Sequence, residues 1–180
     1  MPSLTNNLSK VLKEGDPEPS SLAPGGARIY SMRFCPWAER VLLYAAAKNI
    51  PAEVINIHLR DKPSWFANNP KNPKGFFAVE SNIIPEYLDG IYPDTSILPS
   101  DPYERAQQKI LVEQLSVIST RLHGLMGVIR GTAQGDAAQE KYKNMEVALD
   151  DAEKLLTEEY FGGSSPGYAD WLSFPMFDRI

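Results

Sequence analysis

The sequence has few of the residues that form cross-links or bind metals: one cysteine, Cys35, and two histidines, His58 and His123, among 180 residues. A single cysteine excludes an internal disulfide framework and is typical of a reducing compartment. Neither histidine has a cysteine, histidine or acidic partner at the spacing of a metal-binding motif. We therefore expect no metal site, and any thiol chemistry must depend on Cys35.

Long apolar runs and clusters of positive charge are also missing. No segment reaches the roughly 18 apolar residues that a membrane-spanning helix needs, and the N-terminus has no apolar signal-peptide core. Lysine and arginine total 18 against 23 acidic residues, a net charge of −5, which argues against nucleic acid or an anionic membrane as partner. Residues 3–13 are faintly amphipathic, so a transit peptide is a minor alternative to the cytoplasmic location that we expect.

Cys35 lies where a short strand, residues 28–31, turns into a helix. Pro36 is suited to a first helical turn, and the apolar residues that follow it recur at helical spacing to about Asn49. A helix N-terminus favours the negatively charged thiolate, because its unpaired N–H groups and the positive end of the helix dipole stabilise negative charge, and Arg33 can add to this effect. The alternative is that Cys35 is a small buried apolar side chain.

A second strand, residues 53–59, follows this helix and alternates apolar and polar side chains. Strand, helix and strand in this order predict a right-handed parallel crossover. His58 falls inside the second strand, where a structural role is favoured over a catalytic one. A cysteine hydrolase therefore lacks a plausible histidine base.

The composition divides the chain into four parts. We predict an irregular extension over residues 1–26, an α/β domain over 27–93, a proline-rich linker over 94–100 and a helical domain over 101–180. In the last part, Asp101 and Pro102 predict a helix start, and a second helix is expected from Ala137 to Tyr160. Gly167 and Asp170 predict the start of a third helix, with glycine in the cap position.

Residues 30–40 read Tyr-Ser-Met-Arg-Phe-Cys-Pro-Trp-Ala-Glu-Arg, and this segment closely resembles the active-site segment of omega-class glutathione transferases. The resemblance extends over about residues 14–180. It implies a thioredoxin-like domain followed by a helical domain. Cys35, in the thioredoxin-like domain, would form a mixed disulfide with the co-substrate glutathione. The expected reactions are the deglutathionylation of mixed disulfides and the reduction of dehydroascorbate. The expected partners are glutathione, small electrophilic or disulfide substrates, and a second copy of the chain in a homodimer.

The same resemblance implies the glutathione-binding residues. Phe34 belongs to the active-site segment, and Lys62, in Lys-Pro-Ser-Trp, matches a family lysine that contacts glutathione. Val79, Glu80 and Ser81 match the segment that binds the γ-glutamyl end. Taken alone, Lys62 is typical of a solvated loop and Ser81 of a helix cap.

Glu80 and Ser81 have side chains suited to a zwitterion. We predict that Ser81 caps a helix over residues 82–90, so that its hydroxyl and the first backbone N–H groups can bind a carboxylate. Glu80 can form an ion pair with an ammonium group. The γ-glutamyl end of glutathione carries both groups.

Two features depart from the family pattern. Residues 72–81 run directly from Asn-Pro-Lys-Gly into Phe-Phe-Ala-Val-Glu-Ser, so that about one strand, its cis-proline and its turn are missing. The helical domain stops at Ile180, where the family has further helices, and we expect a C-terminally incomplete form. The alternative function is therefore a catalytically impaired variant with a partial fold that acts as an interaction protein.

Overall fold

The computed structural model describes residues 4–5, 9–67 and 80–180, which fall into two compact units, residues 1–96 and 97–180. The boundary lies inside the stretch 94–100 that the sequence predicts as a linker. The first unit contains the sheet and short helices, and the second contains three helices, of which two are the longest in the described residues.

The first unit is built on a parallel strand pair. Strand β3 (Ala27–Ser31) pairs with β4 (Ala52–Ile57), and helix α1 (Pro36–Ala47) connects them, as the strand-helix-strand pattern predicts. β4 ends two residues earlier than predicted, so His58 lies just beyond the strand and is exposed. The unit also contains helices α2 (Ser64–Ala67) and α3 (Ile83–Ile91).

The N-terminal extension is not irregular throughout. Its first half contains two short strands, β1 (Leu4–Thr5) and β2 (Val11–Leu12), both parallel to β4. Since Ala52 of β4 faces both β1 and β3, the extension covers the second edge of β4, which would otherwise leave backbone groups unpaired. Residues 14–26, predicted to be irregular, have neither helix nor strand.

Side chains fix the extension in place. The indole Nε1 of Trp65 donates to the Asp16 carbonyl at 2.9 Å. Lys10 Nζ lies 2.6 Å from Asp16 Oδ1, and the Lys13 N–H also donates to the Asp16 carboxylate. Both hydrogen bonds hold the pKa of Asp16 below its ordinary value, and the bond from Lys10 contributes more. The extension therefore contacts the segment that contains α2.

A buried ion pair connects the end of α1 to α3. Lys48 Nζ lies 2.6 Å from Asp89 Oδ1, and both side chains are almost fully buried. Lys48 also donates to the carbonyls of Tyr92 and Thr95, and Asp89 accepts from the Ser96 hydroxyl. Because each charge has several polar partners, the cost of removing the pair from water is offset.

The second unit packs α4 (Pro102–Ile129) against α5 (Asp136–Leu155) and α6 (Tyr168–Phe177). The buried face of α4 includes Leu115, Ile118, Leu122 and Leu125, which recur at helical spacing, whereas Ala106 and Ile110 near its start are exposed. In the described part of the chain, no helix combines the length and apolar character that a membrane span requires.

Helix α6 receives its cap from another helix. Gly167 has no side chain to cap with, and Gln108 of α4 accepts the Ala169 N–H at 3.1 Å instead. Asp170 accepts the Gly167 N–H at 2.8 Å, which is the half of the capping box that the sequence predicts. A glycine is needed here because a Cβ on Gly167 would lie 2.8 Å from the Gly162 Cα.

Candidate active site

Cys35 is the N-cap residue of α1. Its backbone is extended (φ −86°, ψ 115°), and the Cys35 carbonyl accepts the Glu39 N–H at 2.9 Å. Pro36 follows at the first helical position. The thiol is half-buried, is not in a disulfide, and makes no hydrogen bond to the helix N–H groups. The N-terminus of α1 is thus available to stabilise a negatively charged sulfur.

A turn over residues 32–34 presents Cys35. The Cys35 N–H donates to the Met32 carbonyl at 2.9 Å, and the Phe34 side chain is 77% exposed. Arg33, considered as a charge that could favour the thiolate, is exposed, and its guanidinium donates to the Ser9 carbonyl of the extension at 2.9 Å.

A groove of about 290 Å³ lies between β3, α1 and the start of α3. This volume is close to the lower end of the roughly 300–1,000 Å³ of ligand pockets. Apolar and aromatic side chains form most of its wall, with two polar residues from the α3 segment. The lining residues are Ile29, Tyr30, Trp37, Ala38, Val41, Glu80, Ser81 and Ile84.

Glu80 has a left-handed backbone with φ of 76°, which is uncommon for a residue other than glycine. Its carbonyl accepts the N–H groups of Ile83 and Ile84 at 3.0 and 3.1 Å, so this conformation starts α3. The side chain is exposed. Such strained residues cluster at ligand-binding positions, and the structure places this one at the groove.

Ser81 lines the groove, but the prediction that it caps α3 is wrong. The N-cap residue is Asn82, and neither side chain bonds the first N–H groups of the helix, because the Glu80 carbonyl already accepts two of them. The Ser81 hydroxyl instead accepts a hydrogen bond from the Arg40 guanidinium of α1 at 3.3 Å.

The remaining predicted residues lie elsewhere. Lys62 is exposed in the loop before α2 and does not line the groove, and neither do Phe34 or Cys35. The Lys62 segment is connected to the groove by aromatic contacts, since the Trp65 ring lies 6.2 Å from the ring of Tyr30, a lining residue. Val79, and most of the stretch in which the strand and cis-proline are missing, lie outside the described residues.

Neither histidine lies at the groove. The Nδ1 atom of His58 accepts the Asp61 N–H at 2.9 Å, which is a structural role, and His123 is exposed on α4. Within residues 4–5, 9–67 and 80–180, no three His, Cys, Asp or Glu side chains are grouped so that they could hold a metal ion.

Sequence reasoning missed several residues at or beside the groove. Tyr30 and Trp37 belong to the motif but were not assigned to the site, although both line the groove. Arg40 was missed because its role depends on the start of α3, 41 residues later. The signal in the sequence was that Arg40 is followed directly by the apolar residues of α1. This position suggests that the arginine is buried, and a buried arginine requires polar partners.

Comparison with known proteins gives consistent matches. A family model described as glutathione S-transferase, N-terminal domain, matches residues 29–96. Probable glutathione transferase omega-2 of Caenorhabditis briggsae is 46% identical, over 100% of this chain and 74% of the relative. Glutathione transferase omega-1 of Caenorhabditis elegans is 44% identical, over 98% of this chain and 72% of the relative.

A solved structure agrees with these sequence matches. The crystal structure of glutathione transferase Omega 3C from Trametes versicolor superposes with a TM-score of 0.75 and 25% identity, over 87% of this chain and 74% of that chain. The predicted fold class, a thioredoxin-like domain followed by a helical domain, is confirmed.

Proposed function

This chain belongs to the omega class of glutathione transferases, and we propose from that premise that it is a glutathione-dependent thiol transferase in which Cys35 is the nucleophile. One observation supports the proposal most strongly. Cys35 is the N-cap residue of α1, and the first turn of this helix contributes Trp37 and Ala38 to a groove that Glu80 and Ser81 also line.

The proposed reaction has two exchange steps. The Cys35 thiolate attacks the glutathione sulfur of a mixed disulfide, forms a Cys35–glutathione disulfide, and releases the substrate thiolate, which takes up a proton. The thiolate of a second glutathione then attacks the glutathione sulfur of that disulfide, which releases glutathione disulfide and regenerates Cys35. Overall, the thiol of the second glutathione is oxidised to the disulfide level and the substrate sulfur is reduced to a thiol, so the electrons balance.

Dehydroascorbate is the second substrate that we propose. Two glutathione molecules supply the two electrons and two protons that convert it to ascorbate, and glutathione disulfide is the oxidised product. Cys35 again passes through the disulfide with glutathione, and no second cysteine of the chain can resolve it.

Glutathione is held, in this proposal, by its γ-glutamyl end. The Ser81 hydroxyl binds the carboxylate and Glu80 binds the ammonium group, whereas the N–H groups of Ile83 and Ile84 are already bonded to the Glu80 carbonyl. Val79 flanks this pair in the same segment, and Phe34 and Lys62 contact the rest of the tripeptide. The groove supports the first part of this arrangement, because Glu80 and Ser81 both line it.

Mass spectrometry tests the proposal. Treatment of the folded chain with glutathione disulfide should add one glutathionyl group to the peptide that contains Cys35, and excess glutathione should remove it. The Cys35→Ser chain should gain none. A folded parent chain that gains no group at saturating glutathione disulfide would contradict the proposed function.

The impaired variant is the second candidate. It is favoured by the observation that Cys35, Phe34 and Lys62 do not line the groove that contains Glu80 and Ser81. A chain that folds cooperatively but neither binds glutathione nor forms the adduct would support it.

The homodimer and the cytoplasmic location also belong to this proposal. Light scattering of the purified chain should give twice the mass of one chain if the dimer forms. Fluorescence of the chain fused to a reporter at its C-terminus should be diffuse in the cytoplasm, whereas an organellar signal would favour the transit peptide.

A further inference from the structure

We propose that Arg40 is a positioning residue for glutathione: its guanidinium orients the Ser81 hydroxyl so that this hydroxyl donates to the γ-glutamyl carboxylate. The inference rests on the proposed function and extends it to a residue of α1 that does not itself line the groove.

Arg40 lies within hydrogen-bond distance of Ser81 but does not line the groove. Arg40 is only 6% exposed, and its Nη1 donates to Ser81 Oγ at 3.3 Å and to Asn82 Oδ1. It lies one turn after Trp37 and next to Val41, both of which line the groove. The guanidinium therefore reaches from the groove-forming helix to the two residues that precede α3.

The hydrogen bond determines where the Ser81 proton can point. A serine hydroxyl has one proton and two acceptor lone pairs. Since an Arg40 N–H occupies one lone pair, the Ser81 proton must point away from Arg40, and Ser81 lines the groove. A charged donor also polarises the hydroxyl and makes it a better donor to a carboxylate.

The positive charge of Arg40 contributes in the same direction. A buried guanidinium close to the hydroxyl favours an anion on the far side of that hydroxyl, because charges interact more strongly away from bulk water. A serine without this support would rotate freely and would offer its proton in several directions.

A structural role is the alternative, in which Arg40 only ties α1 to α3 through Asn82. The two roles predict different kinetics. A positioning residue changes the KM for glutathione and leaves kcat nearly unchanged, and its effect disappears when Ser81 is absent. A structural tie changes the melting temperature and has the same effect with or without Ser81.

The experiment compares four chains by steady-state kinetics and thermal melting: the parent, Arg40→Met, Ser81→Ala and the double variant. Arg40→Met should raise the KM for glutathione roughly tenfold, the effect of one hydrogen bond to a charged group. In the Ser81→Ala background it should add less than about twofold, because coupled residues are not additive. Asn82→Ala, which removes the hydrogen bond between Arg40 and Asn82 and leaves Ser81 in place, is the matched control and should leave KM unchanged.

Each outcome decides the inference. An unchanged KM in Arg40→Met, a second full increase in the Ser81→Ala background, or an equal increase in Asn82→Ala would overturn it and leave the proposed function intact. If Arg40→Met does not fold, Arg40→Gln is judged by the same criteria, since its shorter, neutral side chain removes the charge-assisted hydrogen bond to Ser81. A parent that does not bind glutathione would overturn both.

Discussion

Two helices of this chain begin with the same backbone arrangement, but the side chains of their N-cap residues make different contacts. In both α1 and α4 an N-cap residue with extended backbone precedes a proline: Cys35 (φ −86°, ψ 115°) and Asp101 (φ −66°, ψ 128°). The Asp101 carboxylate accepts the N–H groups of Tyr103 and Glu104, each at 3.0 Å. The Cys35 side chain makes no such bond.

The difference shows that the side chain of the cap, and not the backbone, decides what a helix start does. A carboxylate cap satisfies the first donors and stabilises the helix by about 1 kcal/mol. A thiol is a weak acceptor, so the donors and the helix dipole are left to stabilise an anionic sulfur or ligand. The cap of α4 stabilises its helix, and we propose that the N-terminus of α1 stabilises the thiolate that reacts with glutathione.

The largest effect should come from removing the thiol. Cys35→Ser should reduce thiol transferase activity to background, because a hydroxyl stays protonated near neutral pH and cannot form the disulfide with glutathione. The melting temperature should be nearly unchanged, since the replacement has a similar size. Activity measured with a glutathione-mixed disulfide and excess glutathione checks this; substantial residual turnover would show that Cys35 is not the nucleophile.

The second effect concerns Glu80, the groove residue that we propose binds the ammonium group of glutathione. Glu80→Gln should weaken glutathione binding by about 1 to 3 kcal/mol, because the ammonium group loses a charged partner. Isothermal calorimetry measures this as an increase in Kd of about 5- to 150-fold. Glu86→Gln, in the first turn of α3 and not among the residues that line the groove, is the control. Equal affinities of parent and Glu80→Gln would remove Glu80 from the site.

The third effect is on stability alone. Asp101→Ala should lower the free energy of unfolding by about 1 kcal/mol through the loss of the cap. Asp101→Asn, which retains an acceptor oxygen, should recover most of it. Denaturant titration checks both, and turnover per folded molecule should stay at the parent value. A clear loss of turnover in Asp101→Ala would contradict the division of roles between the two helix starts.

The smallest effect tests whether a helix start with cysteine and proline suffices for activity. Asp101→Cys placed in the Cys35→Ser chain recreates that local sequence at α4. We expect no measurable thiol transferase activity, because the groove with Glu80 and Ser81 adjoins α1. Alkylation of the new thiol shows that it is accessible. Restored turnover would mean that the helix start alone is sufficient and that the groove is not required.

Much of the local structure could be predicted because it depends on neighbouring residues. Asp101 followed by Pro102 predicts the observed cap, and the spacing after Pro36 predicts α1 and its crossover. Predictions were wrong where a distant group competes. Ser81 has the side chain of a cap, but the Glu80 carbonyl accepts the first N–H groups and Arg40 donates to the hydroxyl.

The sequence by itself determined the position of the only thiol at a helix start, the capped beginning of α4, and the family. Only the tertiary structure decided that β1 and β2 pair with β4, that Gln108 caps α6, and that Arg40 donates to Ser81. The physical reason is range. Caps and periodicity act within one or two turns of chain, whereas these contacts join groups up to 61 residues apart, which only folding brings within hydrogen-bond distance.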